Sequence, residues 1–243
     1  MNSTPPSDPR LLIPRSDEPL PEGSAKTRAV QAMFDVIAPR YDLVNRVMTF
    51  RMDVGWRKRA VSALGLAPGS LVLDLACGTG DLSFDLAARG LAPVGLDLSH
   101  GMLSAAPRAF ARVQGDGSAM PFADGRLDGA VCGFAMRNFT DLRGTFDELA
   151  RTIRPGGRIV LLEVATPPNP VLRFGHGIYF GRIVPVIGGL LSDGAAYRYL
   201  PRSVAYLPEP DEMLRWLADA GFRDIERSLL SVGIAQMITA TRS

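Results

Sequence analysis

The sequence predicts a doubly wound α/β domain with a mostly parallel seven-stranded sheet. Five short apolar runs between residues 71 and 164 alternate with segments of helical periodicity. This alternation is typical of parallel strands joined by helices that cover both faces of a sheet. The first apolar run ends in a glycine-containing turn, residues 77–81, directly before a helical segment. Such a turn marks the ligand-binding edge of a doubly wound sheet.

The composition of the 243-residue chain fits one such domain and disfavours several other classes. Lys+Arg 27 against Asp+Glu 25 gives a net charge of +2, so no nucleic-acid partner is expected. The two cysteines, Cys77 and Cys132, lie in apolar contexts and indicate a reduced, cytoplasmic protein. No apolar run of about 18 residues is visible, so no membrane-spanning helix is expected. The N-terminus also lacks the apolar core of a secretory signal.

The N-terminal quarter of the chain divides into a tail and a helical part. Residues 1–24 are rich in proline, serine and acids, and we expect a disordered tail. The domain itself is expected over 25–243. Three helical segments are predicted within 25–65, with an interruption at Pro39.

The remaining elements follow from periodicity. A helical insertion over 168–208 includes an apolar, glycine-containing segment, and 222–243 contains two strands joined at Gly233. The central strands are predicted near 71–75, 92–97, 111–115, 127–134 and 157–164, with helices at 81–89, 99–108, 143–154 and 209–220.

The glycine turn fits two kinds of cofactor. A dinucleotide would require the pattern G-x-G-x-x-G, but Ser83 stands at the third glycine position, and Asp81 would repel a pyrophosphate. S-adenosylmethionine carries a sulfonium and an ammonium and has no phosphate. Asp74 in the strand and Asp81 at the helix start supply the negative charge that suits it.

Two further strand ends carry carboxylates. Asp97 ends the second strand, where it can accept both hydroxyls of a ribose, a feature common to dinucleotide and S-adenosylmethionine sites. Asp116 follows the third strand and can bond an adenine amino group, although Asp116-Gly117 is also compatible with an ordinary turn. The predicted cofactor-binding residues from these strand ends are Asp74, Gly78, Thr79, Gly80, Asp97, Asp116 and Gly117.

Beyond these features, the sequence resembles the UbiE/MenG family of class I methyltransferases, which methylate a ring carbon of quinones. The resemblance covers about residues 26–240. Its general motifs are the glycine turn LDLACGTGDL and the Pro-Gly-Gly of ELARTIRPGGRIVLLEVATP. Its specific motifs are VQAMFDVIAPRYDLVNRVMTFRMDVGWRKR, GFAMRNFTD with its Arg-Asn pair, and AAYRYLPRSVAYLPEPDEMLRWLADAGF.

The resemblance implies a Rossmann-like fold with the last strand antiparallel, S-adenosyl-L-methionine as cofactor and no metal. It implies methylation of a polyprenylated quinol, with demethylmenaquinol in menaquinone biosynthesis as the leading substrate. The alternatives within methyltransferases are a 2-methoxy-6-polyprenyl-benzoquinol of the ubiquinone pathway or another small aromatic acceptor. An NAD-dependent oxidoreductase and a non-enzymatic scaffold protein are the rivals from other classes.

The resemblance also implies catalytic residues. Arg137 is expected to stabilise the quinol anion or to orient a water, and Asn138 to hold the second hydroxyl. The alternative is that Arg137 pairs with an acid such as Asp141. Tyr41 lies in a helical segment that is expected to fold over the cofactor as a lid, and Gly133 stands where some family members place a serine beside the cofactor.

The chain departs from the family pattern at several positions. Asp53 replaces a histidine, Ala165 a serine, and Ala135-Met136 a Gly-Leu pair. These departures bear on which quinol ring is accepted, and they leave the cofactor motifs intact.

The apolar segment 174–191 is expected either to receive the isoprenoid tail or to form a core helix pair. Arg173 and Arg182 flank its apolar residues and suit lipid head groups. We therefore expect peripheral contact with the inner face of the cell membrane, and a homodimer is compatible with the resemblance.

Overall fold

A computed structural model describes residues 8–14, 18–107 and 109–243, and its centre is a seven-stranded sheet. The strands are β1 (Leu71–Leu75), β2 (Ala92–Asp97), β3 (Ala111–Gln114), β4 (Leu127–Gly133), β5 (Ile153–Val164), β6 (Phe222–Leu230) and β7 (Ala235–Arg242). Their order is β3-β2-β1-β4-β5-β7-β6. Strands β1 to β5 pair in parallel and β7 pairs antiparallel with both neighbours, so the expectation of an antiparallel last strand is confirmed.

The helices lie between the strands and before them. They are α1 (Gly23–Ile37), α2 (Tyr41–Met48), α3 (Met52–Leu64), α4 (Asp81–Ala87), α5 (His100–Ala105), α6 (Leu142–Thr152), α7 (Pro170–Ile178), α8 (Val184–Leu191), α9 (Gly194–Ser203) and α10 (Pro210–Asp219). The predicted fifth strand, 157–164, begins four residues earlier, at Ile153. Its register against β4 shifts near Gly129, which accommodates the Pro-Gly-Gly sequence as an irregularity of the strand.

Each face of the sheet has its own apolar core, as the two-residue period of strands requires. Leu73 and Leu75 of β1 belong to a cluster with α6 and α10, through residues such as Phe146 and Met213. Val72 belongs to a second cluster with residues from α3 and α4. This burial on both faces explains the unbroken apolar run that marks β1.

The N-terminal helices and the insertion share a third apolar cluster, which joins α1 and α2 to α8 and α9. Met33, Val44 and Tyr197 are buried in it. The contact of α8 with α9 is tight, since a Cβ on Gly188 would lie 2.1 Å from the Tyr197 ring. We call the assembly of α1, α2, α8 and α9 the cap.

The structure corrects the expectation of a disordered tail over 1–24. Pro9–Leu12 forms a 3-10 turn, and Ile13 is buried in the cluster of the cap. The Tyr206 hydroxyl donates to the Pro21 carbonyl at 2.5 Å, and α1 begins at Gly23. The disorder prediction is therefore wrong for 8–14 and 18–24, whereas 1–7 and 15–17 lie outside the described residues.

The insertion contains one helical run, Pro170–Leu191, that is long and apolar enough to cross a membrane by length and composition. The expectation of no such segment is corrected on that point. The run includes α7, a π-helical turn at Tyr179–Ile183 and α8. Only 11% of its most apolar part is buried, yet its C-terminal part, α8, packs into the cap through Val184 and Gly188.

Candidate active site

A cavity of about 510 Å³ lies between the cap and the carboxyl ends of the central strands. This is the edge of a doubly wound sheet where ligands bind. The structure brings together nearly all of the predicted site residues, because the following line this cavity: Tyr41, Asp74, Gly78, Thr79, Asp97, Asp116, Gly117, Gly133, Arg137 and Asn138. Gly80 is the exception among the predicted set.

The glycine turn after β1 has a left-handed backbone at three positions. Ala76 and Gly78 have φ of 55° and Gly80 has φ of 93°. A Cβ on Gly80 would lie 2.4 Å from the Phe110 ring, so the turn requires glycine there for its shape. The contact of Gly80 with a cofactor stays a prediction.

Asp74 at the end of β1 is fully buried and only half satisfied. Its Oδ2 accepts a hydrogen bond from the Ser83 hydroxyl at 2.7 Å, while Oδ1 has no partner among the described residues. Burial raises the pKa of Asp74 to about 7, against the hydrogen bonds from Ser83 that lower it. An unpartnered carboxylate oxygen at a cavity wall suits a cationic group such as an ammonium.

Asp97 at the end of β2 holds the glycine turn in place. Its two oxygens accept from the backbone N–H groups of Gly78 at 2.7 Å and Ser99 at 2.8 Å. Burial raises the pKa of Asp97 despite these two bonds. One carboxylate oxygen of Asp116, Oδ1, stabilises a local turn. It accepts hydrogen bonds from the backbone N–H and the hydroxyl of Ser118, both at 2.9 Å. The alternative that Asp116-Gly117 forms an ordinary turn is therefore correct for this oxygen, and the second oxygen of Asp116 is not used by the turn.

The charge of the cavity wall fits S-adenosylmethionine better than a dinucleotide. Both arginines that line it, Arg57 and Arg137, are already engaged in ion pairs. The site would therefore repel a pyrophosphate and attract a sulfonium with an ammonium. The aspartates on the wall are Asp53, Asp74, Asp81, Asp97 and Asp116.

Arg137 lies in the short 3-10 turn after β4 and is paired with Glu163 of β5. Its Nη1 donates to Glu163 Oε1 at 2.5 Å, and its Nε donates to the Ser203 hydroxyl at 3.2 Å. Arg137 is 6% exposed and Glu163 0%. The partner is therefore Glu163 and not Asp141, which instead caps α6 through the Gly144 N–H. Arg137 Nη2 has no hydrogen bond to any described residue and remains available as a donor.

Two other predicted catalytic residues are also buried at this wall. Asn138 follows Arg137, and its side-chain Oδ1 has no hydrogen-bond partner among the described residues. Tyr41 of α2 packs edge-on against Phe34 with ring centroids 6.0 Å apart. Burial raises the pKa of Tyr41, so its hydroxyl stays protonated near neutral pH. An amide oxygen without a partner is a natural acceptor for a substrate hydroxyl.

The cap is fastened to the sheet edge by hydrogen bonds from its helices. Asp42 of α2 accepts from the Thr79 hydroxyl of the glycine turn at 2.6 Å. Asp35 of α1 accepts from Ser99 at 2.5 Å and from the Gly101 N–H at 2.8 Å. These contacts place α1 and α2 over the cavity, as the lid prediction requires.

Arg57 joins α3 to α4 through ion pairs. It contacts Asp53 in its own helix, and Asp81 at 3.1 Å and Asp85 at 3.3 Å in α4. Asp53, where the family pattern has histidine, is thus a buried partner of Arg57. It also accepts from the Thr49 hydroxyl at 2.5 Å.

One end of the cavity is aromatic. Trp56 and Phe134 lie with ring centroids 5.8 Å apart, as do Phe50 and Tyr179. Phe180 of the π-helical turn also lines the cavity. His176 lines it too, and its Nε2 has no hydrogen-bond partner among the described residues. Burial lowers the pKa of His176, so its ring is neutral at pH 7.

Sequence reasoning did not identify the groups that position the site residues. Neither the Glu163 carboxylate beside Arg137 nor the Ser83 bond to Asp74 is predicted from the sequence motifs. The available signal was burial: a charged residue inside an apolar strand, such as Glu163 in RIVLLEV, needs a partner of opposite charge.

The sequence is similar to those of known methyltransferases. A family model described as the ubiE/COQ5 methyltransferase family matches residues 22–242. The demethylmenaquinone methyltransferase of Thermus thermophilus is 43% identical, over 86% of this chain and 100% of that protein. The ubiquinone/menaquinone biosynthesis C-methyltransferase UbiE of Geotalea daltonii is 37% identical, over 89% of this chain and 97% of that protein.

Among solved structures, the fold is similar to that of Haemonchus contortus phosphoethanolamine N-methyltransferase 2 in complex with S-adenosyl-L-methionine. The TM-score is 0.59 at 14% identity, over 77% of this chain and 52% of that chain. This likeness concerns the fold of the methyltransferase domain.

Proposed function

This chain belongs to the ubiE/COQ5 methyltransferase family, and we propose that it transfers a methyl group from S-adenosylmethionine to a ring carbon of a polyprenylated quinol. The preferred acceptor is demethylmenaquinol, the substrate class named for the Thermus thermophilus relative. The observation that carries the proposal is the pairing, in one cavity, of an acidic cofactor wall with Arg137 and the unpartnered amide oxygen of Asn138.

The cofactor supplies an activated methyl group on a sulfonium, and this chain's residues hold it by charge. Asp97 would accept from the ribose hydroxyls, Asp74 Oδ1 would hold the ammonium, and Asp116 would accept from the adenine amino group through its remaining oxygen. The position of these carboxylates at strand ends and the excess of negative charge at the cavity wall support these roles.

Arg137 and Asn138 act on the quinol. A ring carbon becomes nucleophilic when the adjacent hydroxyl loses its proton, and Arg137 stabilises the resulting oxyanion through its free Nη2. Asn138 Oδ1 accepts from the second hydroxyl. The bond between the methyl carbon and the sulfonium sulfur would break as the new carbon–carbon bond forms, which leaves S-adenosylhomocysteine. The ring carbon then loses its hydrogen as a proton, and the quinol oxygen regains a proton. The ring becomes aromatic again, with one proton released per turnover.

Positioning supplies the rest of the catalysis. Displacement at a methyl carbon requires the attacking carbon and the leaving sulfur to lie in line, so a fixed ring orientation lowers the barrier. The Glu163 pair fixes the Arg137 side chain, and Tyr41 closes the cavity from the cap. Closure excludes water from the charged groups.

The location follows from the acceptor. A polyprenylated quinol resides in the bilayer, so the enzyme works at the inner face of the cell membrane as a peripheral protein. The exposed apolar residues of Pro170–Leu191, with Arg173 and Arg182 beside them, support such a contact.

The test is an assay with S-adenosylmethionine and reduced quinols. Demethylmenaquinol should gain one methyl group, detected by mass spectrometry together with S-adenosylhomocysteine. A demethylated benzoquinol is assayed in parallel, since the Geotalea daltonii relative is named for both pathways. Preference for the benzoquinol would move the chain to the ubiquinone pathway. Tight NADH binding with no methyl transfer would overturn the proposal.

A further inference from the structure

The aromatic end of the cavity opens between three exposed apolar side chains from three separate elements. Phe50 precedes α3 and is 71% exposed, Val171 in the first turn of α7 is 77% exposed, and Val232 in the β6–β7 turn is 68% exposed. All three also line the cavity. We call these residues the apolar rim.

Contacts between the three elements show that the rim is one continuous surface. The Trp56 indole of α3 donates to the Ser231 hydroxyl of the β6–β7 turn at 2.9 Å. A Cβ on Gly233 would lie 2.7 Å from Pro168, just before α7. The Phe50 ring lies 5.8 Å from that of Tyr179, just after α7.

Two of the three rim residues have an unfavourable backbone conformation. Phe50 has φ of 50° and Val232 has φ of 56°, and their neighbours Arg51 and Ser231 are also left-handed. This region disfavours bulky and β-branched residues most, so apolar side chains there require a reason. Strained residues concentrate at ligand-binding sites, where the strained geometry serves the ligand.

The rim continues onto the outer side of Pro170–Leu191. Phe174 and Leu190 are 73% and 79% exposed and do not line the cavity. Residues 49–52, 170–191 and 229–234 contain no Asp or Glu, whereas Arg51, Arg173 and Arg182 are exposed among them. An apolar surface with only basic charge is complementary to an anionic lipid surface.

We propose that the apolar rim inserts into an anionic bilayer, so that the quinol ring enters the cavity directly from the membrane while its isoprenoid tail stays in lipid. This inference rests on the proposed function for the identity of the substrate, but the bilayer contact itself does not. Full removal of the isoprenoid tail from lipid would cost free energy for every methylene group transferred to water. A cavity that opens directly at the bilayer avoids this cost, because the tail stays in lipid.

The chain allows a direct measurement with single-cysteine labels. Both native cysteines are buried, and burial raises the pKa of each thiol, so they react slowly with labelling reagents. A polarity-sensitive fluorophore is attached to Phe50→Cys, Val232→Cys and, as a matched control, Val113→Cys. Val113 is a partly exposed apolar residue on β3, at the opposite edge of the sheet from β6.

With vesicles of phosphatidylglycerol and phosphatidylcholine, the labels at positions 50 and 232 should become brighter and blue-shifted, and the label at 113 should not change. Neutral vesicles or high salt should reduce the shift. Unchanged emission at 50 and 232, while the protein still sediments with vesicles, would overturn the proposal. A shift that depends on protein concentration without vesicles would instead assign the rim to a second copy of this chain. Because the labels report contact and not turnover, a failed quinol assay would not affect this result.

Discussion

At the scale of single residues, the proposed chemistry depends on charged groups that are almost fully removed from water. Arg137 and Glu163 form a buried pair, and removal of one partner from such a pair costs about 3–5 kcal/mol of stability. Loss of activity in Arg137→Ala alone therefore has two explanations, a missing catalytic group and an unpaired Glu163. A test of catalysis must separate the two.

We expect Arg137→Met combined with Glu163→Gln to fold with near-normal stability and to have a much lower kcat, because the oxyanion loses its donor while no buried charge is orphaned. S-adenosylmethionine affinity should change little, as measured by calorimetry. Arg137→Lys should retain only part of the original kcat, since lysine lacks the planar guanidinium with its two parallel N–H donors. Full activity of the double variant at saturating quinol would exclude a catalytic role for Arg137.

Asp97→Ala should weaken S-adenosylmethionine binding by about 1–3 kcal/mol, because the ribose hydroxyls lose their acceptor. Asp97 also holds the Gly78 and Ser99 N–H groups, so a thermal melt of the variant is the control for a loosened turn. Binding equal to that of the unaltered chain, by calorimetry, would remove Asp97 from the cofactor site.

The raised pKa of Asp74, about 7, predicts a pH dependence of cofactor binding. An ammonium ligand requires the ionised form, so affinity should rise with pH up to about 7 and then level off. Binding at pH 6 should release protons, which calorimetry in two buffers with different ionisation enthalpies detects. Asp74→Asn should abolish this proton release.

The Asp74 carboxyl also makes the free energy of unfolding depend on pH, but its contribution falls as pH rises, whereas cofactor affinity increases. Its folded pKa lies above its unfolded value, so the folded state holds the proton longer. The contribution of Asp74 is fully present below the unfolded pKa of about 4 and is lost as pH rises towards 7.

The strand-end residues were predictable because a short polar side chain that ends an apolar run is visible locally. Asp74 and Asp97 are examples. The partners were not predictable, since pairs such as Arg137 with Glu163 or Asp42 with Thr79 join residues that are distant in sequence. Such pairs depend on which strands become neighbours, and the strand order follows from packing of the whole sheet.

At the scale of elements, one hydrogen bond among the described residues joins α2 to the glycine turn, from the Thr79 hydroxyl to Asp42. We expect Asp42→Ala to accelerate cofactor dissociation by roughly 10- to 150-fold, because the bond from Thr79 to a charged acceptor contributes about 1.5–3 kcal/mol. Thr79→Val should give a similar rate, and the double variant should be no faster than either. Stopped-flow release of S-adenosylmethionine measures all three, and additive effects would show that the two residues act separately.

Periodicity predicted most helices and strands, because each has one or two buried faces of regular spacing. It did not predict that β5 begins at Ile153, since Pro155 and two glycines disguise the first part of the strand. It also missed the packing of Ile13 on the cap, because proline-rich composition conceals a single buried contact.

At the scale of the whole molecule, activity and membrane contact should be separable. Phe174→Asp lies outside the cavity, so it should slow turnover of long-tailed quinol in anionic vesicles and leave a water-soluble, short-tailed analogue nearly unaffected. A substitution at Phe180 would not separate the two effects, because Phe180 lines the cavity. Equal losses of both activities in Phe174→Asp would argue against surface contact.

The position of β7 has a consequence for how the protein is made. This strand is the last of the seven in chain order, yet it lies inside the sheet between β5 and β6. During synthesis, β1 to β5 therefore emerge from the ribosome before β7. Until β7 emerges, one edge of β5 has no neighbouring strand to pair with. Glu163 lies on that open strand, opposite Gln236 of β7. A nascent chain stalled before β7 should accordingly be a chaperone substrate, with the Arg137–Glu163 pair still exposed to water.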